Sequence, residues 1–299
     1  MKSLIIGTRG SALALYQAHF IQNALKAHSP SLKIIRTHGD QDQTRPFQEM
    51  QTKGIFTKEL EEALLRKEID IAVHSLKDLL TESPPGLILG AIPLRASAHD
   101  VLLMRKSALD PERTRPWLLQ EGKVLGTSAA RRASLVQYYR PDLQIKTLRG
   151  NVPTRVEKLQ QGDYDAILLA QAGLERLKID LSFCEVQYLH PQFFPPAPGQ
   201  GAIAVQMRAE DQDLFPLVNA LQDPLSAELV EAERRFLAYF EGGCSVPIGA
   251  YAKREGEGFS LSAYIELQGK KILDYDRGNS SSEVADRLYQ KITQQLSLQ

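Results

Sequence analysis

The chain has 299 residues, too long for one ordinary core and enough for two or three domains. Hydrophobic residues make up 43% and charged residues 24%, the balance of an ordinary soluble globular protein in which disorder is not the default. The formal net charge is +0, from 36 basic and 36 acidic residues, which argues against a general nucleic-acid binder but leaves room for a local cationic site.

The two cysteines, Cys184 and Cys244, are too few for a disulfide framework, and neither lies in a CxxC pair. A reducing cytosol is the simplest compartment. Met1-Lys2-Ser3 leads at once into an apolar run too short for a signal-peptide core, and no stretch approaches a membrane span. The expectation is a cytoplasmic protein with no membrane partner, no nucleic-acid partner and no metal.

Short apolar runs alternate with amphipathic stretches. In chain order, 4–8 reads as a strand, 11–27 as a helix, 32–37 as a strand, 55–67 as a helix, and 69–73 and 87–92 as strands. Glu59, Glu61 and Glu62 early and Arg66 and Lys67 late in the second helix suit its dipole. The rhythm restarts with strands at 101–104 and 123–126, a helix at 130–139, a strand at 143–147, a helix at 152–160 and a strand at 166–170. Such βα alternation predicts parallel or mixed sheets covered by helices. Pro93 and the run Phe193-Phe194-Pro195-Pro196-Ala197-Pro198-Gly199-Gln200-Gly201 punctuate the joins, and the strand at 202–207 is assigned back to the first lobe. Beyond about residue 218 the pattern becomes a helix at 226–239, a Gly-rich loop at 241–247 and antiparallel strands at 248–254, 259–266 and 271–275. Ser280 and Glu283 form a capping-box pattern before a last helix at 281–297. The predicted division is residues 1–94 with 197–217, then 95–196, then a small α+β unit over 218–299.

Four features can carry chemistry. Between Arg113 and Arg155 lie nine basic residues against only Glu121 and Asp142. Several follow predicted strands, the edge of an open α/β sheet where ligands bind. Thr127-Ser128 before a helix adds hydroxyls and free backbone N–H groups, an anion-binding arrangement, and guanidinium forks suit carboxylates and phosphates. The alternative is a solvated face of surface salt bridges. Next, His74-Ser75-Leu76-Lys77-Asp78 follows an apolar strand, so the Asp78 carboxylate emerges at a strand's carboxyl end, placed to stabilise a cation or move protons. A turn aspartate bonded to its own backbone is the plainer reading. In Glu241-Gly242-Gly243-Cys244-Ser245-Val246-Pro247, two glycines and a proline present a thiol that can form a thioether, against the alternative of a half-buried cysteine. That alternative is preferred for Cys184. Residues 40–53 have little apolar periodicity and read as a long loop, either a lid or merely mobile.

Taken together the segments resemble one family, the porphobilinogen deaminases (hydroxymethylbilane synthases). The resemblance runs in family order from residue 6 to residue 249: Ile6-Gly7-Thr8-Arg9-Gly10-Ser11-Ala12-Leu13-Ala14-Leu15, Lys53-Gly54-Ile55-Phe56-Thr57-Lys58-Glu59-Leu60, His74 to Asp78, Arg131-Arg132, Leu148-Arg149-Gly150-Asn151-Val152-Pro153-Thr154-Arg155, Ala197-Pro198-Gly199-Gln200-Gly201-Ala202 and the Cys244 loop. It implies two α/β lobes like those of type II periplasmic binding proteins and a third domain carrying a dipyrromethane cofactor on Cys244 through a thioether. It further implies stepwise addition of four porphobilinogen units with loss of ammonia, then hydrolytic release of hydroxymethylbilane by a monomeric transferase. Each pyrrole carries two carboxylates, so a growing polyacid needs clustered arginine. Family matching assigns Asp78, Lys77 and Arg9 to catalysis. It assigns Ser11, Lys77, Asp78, Thr127, Ser128, Arg131 and Arg132 to the cofactor, and Arg9, Arg149, Arg155, Arg176, Phe56, Gln17 and Gln200 to substrate. Three departures from the family pattern stand out: Gln51-Thr52 where Gly-Gly is usual, Leu79-Leu80 where a proline usually comes second, and Ala129 where a serine is common. A non-catalytic two-lobed anion-binding protein and a nucleic-acid module stacking on Trp117, Tyr138 and Tyr139 are the competing readings.

Overall fold

The computed structural model describes residues 4–37, 56–112, 116–240 and 246–297. The expectations for residues 40–53, Lys53-Gly54-Ile55, Arg113, Arg115 and residues 241–245 with Cys244 lie outside the described residues. The chain forms β1 (Ile5–Thr8), α1 (Ala12–Ala24), β2 (Ser31–Ile34), α2 (Lys58–Leu65), β3 (Ile71–Ser75) and β4 (Leu87–Ala91). Next come β5 (Asp100–Arg105), β6 (Val124–Gly126), α3 (Ala130–Tyr139), β7 (Gln144–Lys146), α4 (Val152–Gln161), β8 (Ala166–Ala170), α5 (Gln171–Arg176) and β9 (Cys184–Leu189). The last are β10 (Ile203–Arg208), α6 (Phe215–Asn219), α7 (Pro224–Ala238), β11 (Ile248–Glu255), β12 (Gly258–Leu267), β13 (Lys270–Gly278) and α8 (Ser281–Ser297).

One sheet runs β2-β1-β3-β10-β4 and another β7-β6-β8-β5-β9. In each, the first three strands are parallel and the fourth runs against both its neighbours, with register Val205↔Val73 in one and Leu102↔Leu168 in the other. That fourth strand, β10 or β5, arrives from the opposite lobe. The two sheets share one topology, the expected pair of α/β lobes of the type II periplasmic-binding-protein kind. The third sheet, β11-β12-β13, is an antiparallel meander with Ala250↔Ala263 and Ser262↔Tyr275 in register.

Continuous apolar strands mark sheets covered on both faces. In β5, Leu102 and Met104 join Leu135 and Val136 of α3, while Val101 and Leu103 face the other way and join Val156 and Leu159 of α4. Each of these is at most 6% exposed, and burying one such side chain stabilises by about 1.5–3 kcal/mol. In the third unit, Phe236 of α7 and Val284, Leu288 and Ile292 of α8 pack on Ala250, Leu261, Ala263 and Ile265.

Most elements fall where the pattern puts them, with shifted ends. Ser11 caps α1 by accepting from Ala14 N at 3.3 Å, and the helix closes at Ala24 because the chain tightens into a single 3₁₀ turn, Lys26–His28. Half of the capping box forms at α8, where Glu283 N donates to Ser280 Oγ at 3.4 Å. The sequence pattern missed β9, a sheet-edge strand of mixed polarity, and the short α5 and α6. No helix among the described residues is long and apolar enough to cross a membrane.

The two crossings between lobes pack on each other. Gly201 has φ +86, and a Cβ there would lie 2.5 Å from Ala96 O and 2.6 Å from Ser97 O, so only glycine fits. Gly249 of β11 plays the same part where the third unit meets the crossing: a Cβ would lie 2.3 Å from Pro195 O. Arg95 and Glu233 form a buried pair at 2.7 Å, and Glu233 also accepts from Gly199 N at 2.7 Å and Ala252 N at 2.9 Å.

Candidate functional site

At the carboxyl end of β3 the chain stops being a strand and makes one 3₁₀ turn, Leu76–Asp78. Leu76 anchors the turn. Its side chain is 0% exposed, its N–H donates to Ala202 O at 3.0 Å, and Leu79 N closes back onto Leu76 O at 3.0 Å. With Leu76 pointing inward, Lys77 and Asp78 face a cleft.

Two adjoining cavities make up that cleft. The first, about 110 Å³, belongs to the first lobe and is lined by Arg9, Ser11, Gln17, Phe56, His74 and Asp78 among others. The second, about 90 Å³, is lined from the second lobe by Arg132, Arg155 and Arg176, and from the crossing back to the first lobe by Gln200. Leu13, Ser75 and Lys77 line both. Thr127, Ser128, Arg131 and Arg149 are not among the residues lining either cavity.

Local structure explains how each group is held. The Arg9 guanidinium lies 4.1 Å from the centre of the Phe56 ring, a cation–π contact. Ser11 Oγ is occupied as the cap of α1. Gln17 is buried and trades hydrogen bonds with the Ser75 hydroxyl at 2.9 and 3.2 Å. His74 is buried, and burial followed by the nearby Arg9 charge pushes its imidazole down to about 4, so it is neutral at pH 7. Ser128 donates to Leu148 O at 2.6 Å, and Thr127 Oγ1 accepts from Ala129 N at 3.3 Å. Arg176, on α5, donates to Gly201 O at 2.8 Å.

Arg131 and Arg132 occupy the first turn of α3, where the helix dipole already repels positive charge. Asp100 resolves this. Its carboxylate, 0% exposed, meets Arg131 Nη1 at 2.8 Å and Arg132 Nη2 at 2.6 Å. Burial alone would raise the Asp100 pKa, but the two guanidiniums and the hydrogen bonds from Arg132 and Gln200 outweigh it and hold the carboxyl below the ordinary range. Gln200, 1% exposed, gives its amide N–H groups to Ala98 O at 2.8 Å and Asp100 Oδ1 at 2.9 Å. Its carbonyl accepts longer bonds, both 3.5 Å, from Lys77 Nζ and Arg132 Nη2. Gln200, expected at the substrate, lines the second cavity and also links Asp100 to Lys77.

Sequence reasoning missed Asp100. The available signal was a carboxylate heading the wholly apolar run 101–104, which a buried strand tolerates only if a cation answers it.

The segment from Arg149 to Arg155 folds as a strand exit into a helix. Gly150 takes φ +113, Asn151 caps α4 by accepting from Thr154 N at 3.0 Å, and Pro153 sits in the first turn. The result places Arg155 at a helix N-terminus, its Nε donating to Gly150 O at 2.7 Å. Burial, then the charges of Arg132 and Arg149, push Arg155 down to about 10. Lys77 sits at the cleft floor, walled by protein yet open to water. Burial lowers it to about 8, with Asp78 and Asp100 opposing and Arg132 and Arg131 adding to the shift. Like charges pressed together this way are relieved by a bound anion. Cys184, by contrast, is 6% exposed, and burial pushes its thiol up to about 11.

Comparison with known proteins agrees with this chemistry. Residues 4–215 match the family model described as "Porphobilinogen deaminase, dipyromethane cofactor binding domain", and residues 227–296 match "Porphobilinogen deaminase, C-terminal domain". The chain is 46% identical over 277 residues to the porphobilinogen deaminase of Helicobacter hepaticus, covering 91% of this chain and 84% of that one. It is 41% identical over 290 residues to that of Oceanobacillus iheyensis, covering 95% and 92%. Among solved structures it is similar to an ancestral cationic amino acid solute binding protein, at TM-score 0.44 and 14% identity, over 80% of this chain and 93% of that one. From its sequence over nearly its whole length, the chain belongs to the porphobilinogen deaminase family.

Proposed function

We propose that this enzyme of tetrapyrrole synthesis is a transferase that condenses four porphobilinogen units, one at a time, with loss of ammonia, and then releases hydroxymethylbilane by hydrolysis. The observation that supports the reading is the gathering of Lys77, Arg132, Arg155 and Arg176 around one cleft, where burial, with neighbouring cations adding to it, lowers Arg155 to about 10 and Lys77 to about 8. When bound, a dipyrromethane supplies the pyrrole end to which new units are joined. Cys244 holds it through a thioether, and Ser11, Lys77, Asp78, Thr127, Ser128, Arg131 and Arg132 bind it. Arg9, Arg149, Arg155 and Arg176 take the carboxylates of porphobilinogen, with Gln17 and Phe56 shaping its place. Gln200 joins them at the substrate and also holds Lys77 and Arg132. Asp78 stabilises positive charge as it develops on pyrrole nitrogen and carries protons to and from it; one preorganised group of this kind supplies about 3–4 kcal/mol.

The domains divide at 94/95, 196/197 and 217/218, supported by the sheet to which each strand belongs. The protein works as a cytoplasmic monomer that binds neither nucleic acid nor membrane.

Purified protein made with precursor available carries the mass of its chain plus two pyrrole units, located on the peptide containing Cys244. Adding porphobilinogen releases ammonia and builds a ladder of further units. A protein that keeps its bare-chain mass and consumes no porphobilinogen sinks the reading.

The depressed Lys77 gives a pH dependence. Below pH 8 the ammonium is charged and draws substrate carboxylates; above it the charge is lost. The expected result is a fall in kcat/KM above about pH 8, a parameter that reports the free enzyme. Lys77→Arg removes this alkaline limb. Stability moves the opposite way. With its folded pKa below its unfolded value of 10.5, Lys77 burdens the anion-free fold below pH 8, and that burden is relieved as pH rises from 8 to 10.5. A flat kcat/KM profile to pH 9.5 in the unaltered protein would exclude Lys77 as a carboxylate-binding cation.

A further inference from the structure

The turn that presents Asp78 rests on a helix of the third unit. Ala227, Val230 and Arg234 of α7 lie at i, i+3 and i+7, on one helix face. Ala227 and Val230 pack in the same apolar cluster as Leu76, Leu79, Ile92 and Ala204. One turn further on, the Arg234 guanidinium reaches under the chain that leaves Asp78. Nη1 donates to Leu79 O at 3.4 Å, and Nη2 donates to Leu80 O at 2.5 Å and Thr81 O at 3.0 Å. Its hydrogen-bond partners among the described residues are therefore three successive backbone carbonyls, and burial lowers its pKa. A charged fork held by backbone alone, partly out of water, fixes chain geometry; a surface ion pair does not.

The held segment is Leu79-Leu80-Thr81 and contains no proline. Leu79 nonetheless has φ −81 and ψ 141, the extended conformation that a following proline imposes. Leu80 N–H has no acceptor among the described residues, so a proline there would lose no bond. Arg234 thus holds from outside a conformation that a pyrrolidine ring would fix from within.

We propose that Arg234 is a positioning residue for the reaction: through the carbonyls of residues 79–81 it sets where the Asp78 turn sits in the cleft. Arg234 lies ten residues ahead of Cys244 in the sequence, and the helix that carries it ends six residues ahead of it, so one element leads from the Asp78 turn toward the proposed attachment residue. The inference rests on the proposed activity only for its kinetic readout.

The experiment compares Arg234→Ala, Arg234→Lys and Arg234→Ala with Leu80→Pro, each as holoenzyme. Hydrogen exchange across peptide 76–82 needs no turnover. In Arg234→Ala it speeds about tenfold or more at Leu79 N–H, while β12 peptides hold their protection. With porphobilinogen, kcat falls about ten- to a hundredfold and KM changes little, as expected when a reacting group is displaced by a fraction of its reach. Leu80→Pro recovers much of both losses. In an Asp78→Glu background, where the carboxylate is already displaced, Arg234→Ala lowers kcat by less than about twofold.

Unchanged exchange at 76–82 overturns the proposal. So does faster exchange with full kcat, or a loss that multiplies undiminished with Asp78→Glu. If Arg234→Ala does not fold, Arg234→Lys decides by the same measurements, since its ammonium cannot span three carbonyls. If the unaltered protein turns over no porphobilinogen, the activity reading fails separately and the exchange result alone decides on Arg234.

Discussion

Asp78→Asn lowers kcat by about 10²–10³-fold, the range measured for removal of one preorganised electrostatic group, while the thermal midpoint stays close to that of the parent. The two halves of this result have separate causes. Asparagine keeps the size and shape of the side chain but takes away the charge that, in the proposed reaction, faces developing positive charge on pyrrole nitrogen. The turn itself does not depend on that charge, because it is closed by Leu79 N to Leu76 O and anchored by the fully buried Leu76. Initial rates, with the midpoint from circular dichroism, check both halves. Retention of more than about a tenth of kcat would remove Asp78 from the chemistry, since so small a loss is under about 1.4 kcal/mol.

Asp100→Ala is expected to destabilise by about 3–5 kcal/mol, as happens when one member of a buried ion pair is removed and the other is left charged. Here two cations are stranded at once. Arg131 and Arg132 each have side chains only 7% exposed, and both meet the same carboxylate. Loss of Asp100 also strips Gln200 of an acceptor and loosens the link to Lys77. At about 2–4 °C per kcal/mol for a chain of this size class, the midpoint drops by on the order of 10 °C. Phosphate or sulfate at high concentration recovers part of the loss, because an anion can enter where the carboxylate stood. A midpoint within about 2 °C of the parent, less than about 1 kcal/mol, would show that the guanidiniums relax into water and that Asp100 does not organise the cluster.

The sequence made the scaffold readable where burial is one-sided or total. The unbroken apolar run 101–104 and the helical spacing of 152–160 each lead to one structure. β9 was lost because an edge strand mixes buried Cys184 and Leu189 with exposed Tyr188, so neither alternation nor an apolar run survives. α5, only six residues, is too short to show a period, although it carries Arg176. In the cleft, motifs announced which residues matter but not what answers them. Arg131 and Arg132 stand out as a doublet, whereas Asp100 is 32 residues away from Arg132 in sequence and meets it only once β5 and α3 pack. Gln200 looked like a ligand-binding amide. Folding turns its N–H groups toward Ala98 O and Asp100, a fact carried by the crossing of two strands and by no local pattern.

That crossing has a consequence for a product that lengthens in place. Because β5 and β10 each leave one lobe to become an inner strand of the other, the halves are stitched twice, in opposite directions, along one narrow seam. Two stitches forbid swivelling and sliding, and Gly201 pressed against Ala96 and Ser97 leaves no slack between them. What remains is the motion of a book about its spine. In the proposed reaction, a lengthening product held between the covers would gain room by a widening of that one angle.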